Sequence, residues 1–272
     1  MCGIAGYITR SGPAETEILR RMLSAISHRG PDRYGGFIED STALGSARLS
    51  IVDLQGGHQP VVSEDRQLAL VFNGEIFNYR QLRAELAAHG VRFRTNSEVE
   101  TLVHLYRVHE EGMFTRLYGQ FAIAVWDKRK RRIVLGRDRV GIRPLFWHHQ
   151  QDGFAFASEV KALAQKPGIQ IELDKQALVQ TFRFWTVVGE RTAFEGIRQV
   201  PPGHFLIYAK DKVKLERYWD RPSPNGSDPL NLPNEEAYVE RFAEELDAAV
   251  TRQRMADVPI GCYLSGGIDS SV

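Results

Sequence analysis

Apolar residues recur at two spacings along residues 1–219, and each spacing predicts a different element. Apolar positions between residues 18 and 26 recur every three or four residues, which predicts an amphipathic helix that ends near Gly30 and Pro31. Short apolar runs of the length typical of strands make up most of the remainder. These runs cover residues 2–8, 35–39, 43–51, 68–72, 120–127, 132–138, 144–149, 154–158, 204–208 and 213–219.

Polar residues at the element boundaries refine this pattern. Asn78 with Gln81, and Ser97 with Glu100, have the spacing of capping boxes, so each pair predicts the start of a helix. The later strands are separated by charged or glycine-bearing turns, which favours antiparallel pairing. Runs of strands with helices gathered between them predict an α+β layered fold.

The pattern changes after residue 219. Residues 220–234 are rich in Pro, with Asn, Gly and Ser, and predict a linker. A helix is expected after Asn234, and the apolar run 258–264 then predicts a strand that leads into a turn of small residues. We therefore expect residues 235–272 to begin a second, α/β domain. Cys262 lies within the apolar run and is expected to be a core thiol.

Composition excludes several classes of protein. The 272 residues carry a formal net charge of +1, with 43% hydrophobic and 25% charged residues, as in ordinary soluble globular proteins. The sequence predicts no membrane span, no signal peptide and no metal-ligand spacing. The short basic run 128–132 favours a solvated hairpin turn over a nucleic-acid site. Two cysteines without a secretion signal predict reduced thiols in the cytoplasm.

Cys2 is the candidate nucleophile. Removal of Met1 would give Cys2 both a thiol and a free α-amine. An α-amine titrates near ~7.7–8.0 and can act as a base at neutral pH, so one residue would supply both a nucleophile and its base. A chance cysteine in a disordered tail is the alternative.

Several motifs raise the weight of the catalytic interpretation. In chain order they are CGIAG at 2–6, HRGPD at 28–32, RLSIVD at 48–53, NGEIFN at 73–78 and GRDRVGIRPL at 136–145, with SGGIDS at 265–270. Together they resemble the glutamine-hydrolysing asparagine synthetase family, in its N-terminal, class II glutamine amidotransferase portion. The resemblance implies a four-layer αββα sandwich of two antiparallel sheets, the N-terminal nucleophile hydrolase fold. It also implies hydrolysis of glutamine by Cys2, with no cofactor.

The resemblance implies roles for further residues. Asn73 and Gly74 would form the oxyanion hole, although the pair could instead be a tight turn. Arg48 would hold the α-carboxylate of glutamine, unless it is a surface arginine. Glu75 and Glu98 would contact the α-ammonium. The neighbouring loop would be shaped by Leu49, Ile51 and Val52.

Glu98 departs from the family pattern. The family usually has Asp at this position, so the side chain here is one methylene longer. An acid in the first turn of a helix also suits the helix dipole, which leaves a purely structural role open.

The second domain would use ATP and Mg²⁺. Its beginning resembles the pyrophosphate loop of ATP pyrophosphatases, in which small residues form an anion nest. The implied ATP-binding residues are Leu264, Ser265, Gly266, Gly267, Asp269 and Ser270. This division gives a glutaminase domain at 1–219, a linker at 220–234 and a synthetase-domain start at 235–272.

The residues alone leave the amide acceptor, the catalytic role and the oligomeric state undecided. The resemblance implies that the intact protein amidates aspartate, but another carboxylate acceptor or a non-catalytic glutamine-binding module would fit the same motifs. The sequence is also compatible with a homodimer. Neither a nucleic-acid partner nor a membrane partner is expected.

Overall fold

In the computed structural model, which describes residues 1–221 and 230–271, ten strands follow the predicted apolar runs, whereas short strands at 61–62 and 197–199 lie outside them. Most of the predicted linker, at 222–229, lies outside these described residues, as does Val272. The strands are β1 (Gly3–Thr9), β2 (Arg33–Glu39), β3 (Thr42–Arg48), β4 (Val61–Val62), β5 (Leu68–Ile76), β6 (Gly119–Asp127), β7 (Arg132–Arg137), β8 (Phe146–Gln150), β9 (Gly153–Ala157), β10 (Ile197–Gln199), β11 (His204–Ala209) and β12 (Lys212–Arg217). The helices are α1 (Thr16–Ala25), α2 (Tyr79–Ala88), α3 (Glu98–His109), α4 (Met113–Arg116), α5 (Val160–Leu163), α6 (Lys175–Phe184), α7 (Glu235–Gln253) and α8 (Ile268–Ser271).

The strands form two six-stranded sheets. One has the order β10-β8-β9-β1-β3-β2 and the other β12-β11-β7-β6-β5-β4. Neighbouring strands in both sheets pair antiparallel, as the turn residues predict. The first strand of the chain is thus interior to its sheet, with β9 on one side and β3 on the other.

Three apolar layers hold the two sheets and their helices together. Ile4, Val71 and Phe154 belong to the core between the sheets. The outer face of the β1 sheet packs on α1 and α5, through residues such as Tyr7 and Met22. The outer face of the β5 sheet packs on α2 and α3. Helices, sheet, sheet and helices therefore form the expected αββα sandwich.

Two strands end at positions that the apolar runs do not predict. The strand predicted at 43–51 stops at Arg48, because the next backbone groups bond elsewhere: the Ser50 N–H donates to Asp32 Oδ2. The strand predicted at 68–72 continues to Ile76, because β6 pairs with it along its full length. Asn73 and Gly74 therefore lie within a strand, and the tight-turn alternative is wrong.

One predicted capping box forms in part and the other does not. Ser97 Oγ accepts the Val99 N–H, as a cap should, but the Glu100 carboxylate turns to the backbone N–H groups of Arg94 and Thr95. Asn78 precedes α2 without capping it, because its side chain bonds to the segment 116–118 instead. Both helices nevertheless begin where predicted.

The region beyond the linker is only partly as expected. Asn234 caps α7, whose start is therefore confirmed. Residues 258–264 form no strand, and Cys262 is exposed, so both predictions for this run are wrong. A strand needs a neighbour for its backbone groups, and the described residues place none beside this run. Within the same described ranges, no helix is both long and apolar enough to cross a membrane.

Truncation of the layer between the sheets should destabilise the whole sandwich. Phe154 is fully buried there and stacks on Tyr208 with ring centroids 4.7 Å apart. Phe154→Ala should lower the free energy of unfolding by about 3–5 kcal/mol. Phe182→Ala is the matched control, because that ring is 86% exposed, and it should change stability by less than about 0.5 kcal/mol. Denaturant melts that gave equal losses would contradict this account of the core.

Candidate active site

Strand alternation directs Cys2 and Asn73 toward the same gap. Side chains two residues apart on a strand share a face. Cys2 is two residues from Ile4, and Asn73 is two residues from Val71, so each shares a face with its apolar neighbour. Both Ile4 and Val71 lie in the core between the sheets. The start of β1 in one sheet thus faces the middle of β5 in the other.

A cavity opens at this place, at the end of the gap between the sheets. Every residue that the sequence suggests for glutamine binding or catalysis lines it, and several others join them. The full lining is Met1, Cys2, Arg48, Leu49, Ile51, Val52, Gly57, Gln59, Phe72, Asn73, Gly74, Glu75, Ser97, Glu98, Val99 and Arg143.

The backbone around Cys2 is fixed by residues from distant parts of the chain. The Leu49 N–H lies 3.4 Å from Cys2 Sγ, and the Leu49 carbonyl lies 3.5 Å from the same sulfur. Arg29 Nε donates to the Cys2 carbonyl at 3.0 Å, and its guanidinium also pairs with Glu159 at 2.9 Å. Cys2 is therefore held at its thiol by the residue that follows β3 and at its carbonyl by the turn after α1.

Burial raises the pKa of the Cys2 thiol, and the hydrogen bond with Leu49 opposes that rise. The thiol is therefore protonated at neutral pH and needs a base before it can act as a nucleophile. Burial also lowers the pKa of the chain's α-amine, which favours its neutral, basic form. In the described chain this amine belongs to Met1, whose side chain lines the cavity and contacts Arg143.

The edge of β5 that faces away from β6 supplies backbone donors to the cavity. Backbone N–H groups two residues apart on a strand point to the same edge. The Phe72 N–H donates to Gln59 Oε1 at 2.7 Å, and the Ile76 N–H donates to Glu98 Oε2 at 2.9 Å. The pairing with β6 is regular throughout, so the Gly74 N–H between them points the same way, into the cavity.

Asn73 and Gly74 are suited to a site that stabilises negative charge. The Asn73 side chain is fully buried, and neither its Nδ2 nor its Oδ1 has a hydrogen-bond partner within the described part of the chain. Such orphaned polar atoms are rare and call for an explanation. A Cβ at Gly74 would lie 2.0 Å from the Gln120 carbonyl oxygen, so only glycine permits this approach of β6. The arrangement can present two donors to an oxyanion.

Arg48 organises the loop that covers the cavity. It is buried at the end of β3, and its Nη2 donates to the carbonyls of Val52 and Asp53 at 2.9 and 2.7 Å. Its Nη1 reaches the Leu54 carbonyl at 3.4 Å. The surface-arginine alternative is therefore wrong. The guanidinium folds residues 49–57, here called the 49–57 loop, over the site.

Charges of both signs surround the cavity. Burial raises the pKa of Glu98 to about 8, with a further contribution from the negative charge of Glu75. Burial likewise raises the pKa of Glu75. Arg143, whose positive charge opposes the rise in pKa of both acids, is also buried, and Asp138 accepts its backbone N–H at 2.9 Å. A cavity lined by buried acids and buried arginines is suited to a small zwitterion.

Comparison with known proteins assigns this arrangement to a family. The family described as glutamine amidotransferase domain matches residues 1–219, and the asparagine synthase family matches residues 241–272. The chain belongs to the glutamine amidotransferase family. The sequence resemblance to glutamine-hydrolysing asparagine synthetases is thereby confirmed.

Individual relatives agree with this assignment. Glutamine-hydrolysing asparagine synthetase 3 of Bacillus subtilis is 35% identical over 276 residues, which cover all of this chain and 44% of the relative. The corresponding synthetase 2 of Arabidopsis thaliana is 34% identical over 282 residues, again all of this chain and 42% of the relative. The chain thus spans less than half the length of these relatives.

A solved structure shares the fold. Glutamine phosphoribosylpyrophosphate amidotransferase from Bacillus subtilis, complexed with ADP and GMP, superposes with a TM-score of 0.60 at 23% identity. The match covers 81% of this chain and 50% of that one. It supports the sandwich architecture of the amidotransferase domain.

The residues suggested for ATP lie outside this cavity. Ser265 Oγ and Ser270 Oγ are 2.8 Å apart, and the Gly267 N–H donates to Ser265 Oγ. Gly266 has a left-handed φ of 77°, as small-residue anion loops require. Leu264 and Asp269 flank the same loop, which is largely exposed. The donor types fit a phosphate, but in this structure the donors bond to one another.

Sequence reasoning missed several residues of the amidotransferase site, including three polar ones. Gln59 and Arg143 line the cavity, and Asp53 anchors the 49–57 loop. Asp53 and Arg143 lie in motifs that carry the family resemblance, which was an available signal. Gln59 stands before Pro60 outside any of those motifs and gave no signal.

The raised pKa of Glu98 predicts a specific pH dependence of stability. An acid whose native pKa is raised binds its proton more tightly when folded, so its contribution to stability falls as pH rises from 4.5 to about 8. Glu98→Gln is neutral throughout and keeps an acceptor for Ile76. The melting temperature of the variant minus that of the unaltered chain should therefore increase as the pH is raised from about 5 to about 9.

The matched control for this melt is Glu195→Gln, because Glu195 is exposed. The difference in melting temperature between this control and the unaltered chain should be the same at about pH 5 and at about pH 9. A Glu98→Gln difference that is also constant with pH would show that Glu98 does not titrate in this range.

Proposed function

We propose that this domain hydrolyses the side-chain amide of glutamine to glutamate and ammonia, with Cys2 as the nucleophile after Met1 is removed. The observation that carries the proposal is one juxtaposition. The Cys2 thiol, clasped by the Leu49 backbone, shares a cavity with the unpaired Asn73 carboxamide and the inward-facing Gly74 N–H. This is a nucleophile facing a prepared oxyanion site.

The reaction follows from these groups. The freed α-amine of Cys2 takes the thiol proton, and the thiolate attacks the amide carbon of glutamine. The tetrahedral intermediate places its oxyanion against Asn73 Nδ2 and the Gly74 N–H. As the C–N bond breaks, the α-ammonium returns the proton and ammonia leaves. Water then hydrolyses the thioester, which releases glutamate and restores the thiol.

Substrate recognition would use the charges around the cavity. Arg48 holds the α-carboxylate with the guanidinium N–H groups that its loop carbonyls leave free, and so acts both on the loop and on the substrate. Glu75 and Glu98 accept the α-ammonium. Leu49, Ile51 and Val52 line the path of the aliphatic chain. The longer side chain at Glu98 still reaches the cavity because α3 begins at this residue, beside β5.

The intact protein, we propose, is a cytoplasmic asparagine synthetase. Residues 1–219 form the glutaminase, 220–234 a linker, and 235–272 the beginning of a synthetase domain. That domain would use ATP and Mg²⁺ to activate aspartate, and ammonia from the glutaminase would amidate it. The match of residues 241–272 and the names of the relatives support this assignment. The assembly is proposed as a homodimer.

Cys2→Ala should reduce glutamate release to the uncatalysed background while the fold is kept. The variant loses the nucleophile, whereas Cys262→Ala removes an exposed thiol far from the cavity in sequence and should keep full activity. The measurement is glutamate release from glutamine, on chains whose N-terminus is defined by mass spectrometry. A chain that retains Met1 should be inactive. Undiminished release from folded Cys2→Ala would exclude the proposed mechanism.

Asn73 and Arg48 should separate chemistry from binding. Asn73→Ala removes the amide donor without adding a charge, so kcat should fall by about 10²–10³ with little change in KM. Arg48→Ala should chiefly raise KM, because its contact with the carboxylate exists in the ground and transition states alike. Steady-state kinetics on both variants is the measurement. The reverse pattern would mean that the two roles are exchanged.

A further inference from the structure

The segment that follows α7 reaches back to the 49–57 loop. Asp257 lies about two hundred residues from the 49–57 loop, yet it makes two hydrogen bonds with it: the Asp53 N–H donates to Asp257 Oδ2 at 2.8 Å, and the Asp257 N–H donates to the Ile51 carbonyl at 2.9 Å. Met255 packs nearby against the core under α2 and α3, and this core also receives Val52.

Asp53, whose N–H donates to Asp257, makes more of the hydrogen bonds that fix the loop than any other residue in it, and we call it the hub of the loop. Its carboxylate accepts the Gly56 N–H at 2.8 Å and the Asn96 N–H at 3.1 Å. Its carbonyl accepts Arg48 Nη2 and the Gly57 N–H. The hub thus ties the loop to the segment that leads into Ser97 and Glu98.

The loop's conformation depends on such external contacts. Asp53 has a left-handed φ of 48°, which costs a non-glycine residue free energy that surrounding contacts must offset. Ile51 and Val52 line the cavity immediately before this residue. Loss of an anchor at Asp53 would therefore loosen the part of the wall that encloses the substrate.

We propose that Asp257 is a positioning residue for glutamine binding. From the synthetase-domain side, it holds the 49–57 loop closed over the cavity by accepting the Asp53 N–H. Glutamine affinity then depends on a residue outside the amidotransferase domain, and any displacement of the segment after α7 changes that affinity. The inference rests on the proposed glutaminase function.

Kinetics of glutamine hydrolysis test the role. Asp257→Ala should raise KM for glutamine by about 2- to 10-fold, the range for one lost hydrogen bond, and leave kcat within about twofold. Asp257→Asn retains an acceptor oxygen and should restore KM. Asp247→Ala, an exposed acid on α7, is the control and should change neither constant. A KM unchanged in Asp257→Ala, or raised equally in Asp257→Asn, would overturn the proposal.

Hydrogen exchange tests the contact without relying on turnover. The Asp53 amide should exchange faster in Asp257→Ala than in the unaltered chain, with no acceleration in Asp257→Asn. Unchanged exchange in Asp257→Ala would overturn the proposed anchor, even with glutaminase activity intact. Faster exchange in a chain without Cys2-dependent activity would support the anchor and count against the proposed function.

Discussion

The packing of two sheets face to face is the constraint on which the rest of this structure depends. The inner core fixes the distance and register between β1 and β5, and each strand then carries its reactive residue just beyond the last apolar side chain of that core. Cys2 continues the face of Ile4, and Asn73 continues the face of Val71. The same alternation that buries the apolar residues thus brings a thiol and a carboxamide to one opening.

Four ionisable side chains near this opening lose hydration on burial, and this loss favours the binding of a charged partner. Arg48 and Arg143 lose hydration there, and so do Glu75 and Glu98, whose pKa values rise for the same reason. None of these charges is a simple surface ion pair. A substrate that carries both an ammonium and a carboxylate would complete their partners, which gives a physical reason for selecting an amino acid over a neutral amide.

The 49–57 loop connects this chemistry to the remainder of the chain. Arg48 folds it from within, Asp53 links it to the start of α3, and Asp257 holds it from beyond the amidotransferase domain. These contacts physically join the wall of the cavity to the segment after α7.

The sequence by itself determined most of the strands and the candidate chemistry, because strand periodicity and short motifs are local properties. The antiparallel strands, the start of α7 after Asn234 and the candidacy of Cys2 as a nucleophile could all be predicted from neighbouring residues. Tertiary structure decided what depends on distant partners. It ended β3 at Arg48, extended β5 through Asn73 and left Cys262 exposed, since pairing and burial come from residues far along the chain. The raised pKa of Glu98, the orphaned Asn73 amide and the grip of Asp257 on Asp53 exist only once both sheets and the segment after α7 are in place.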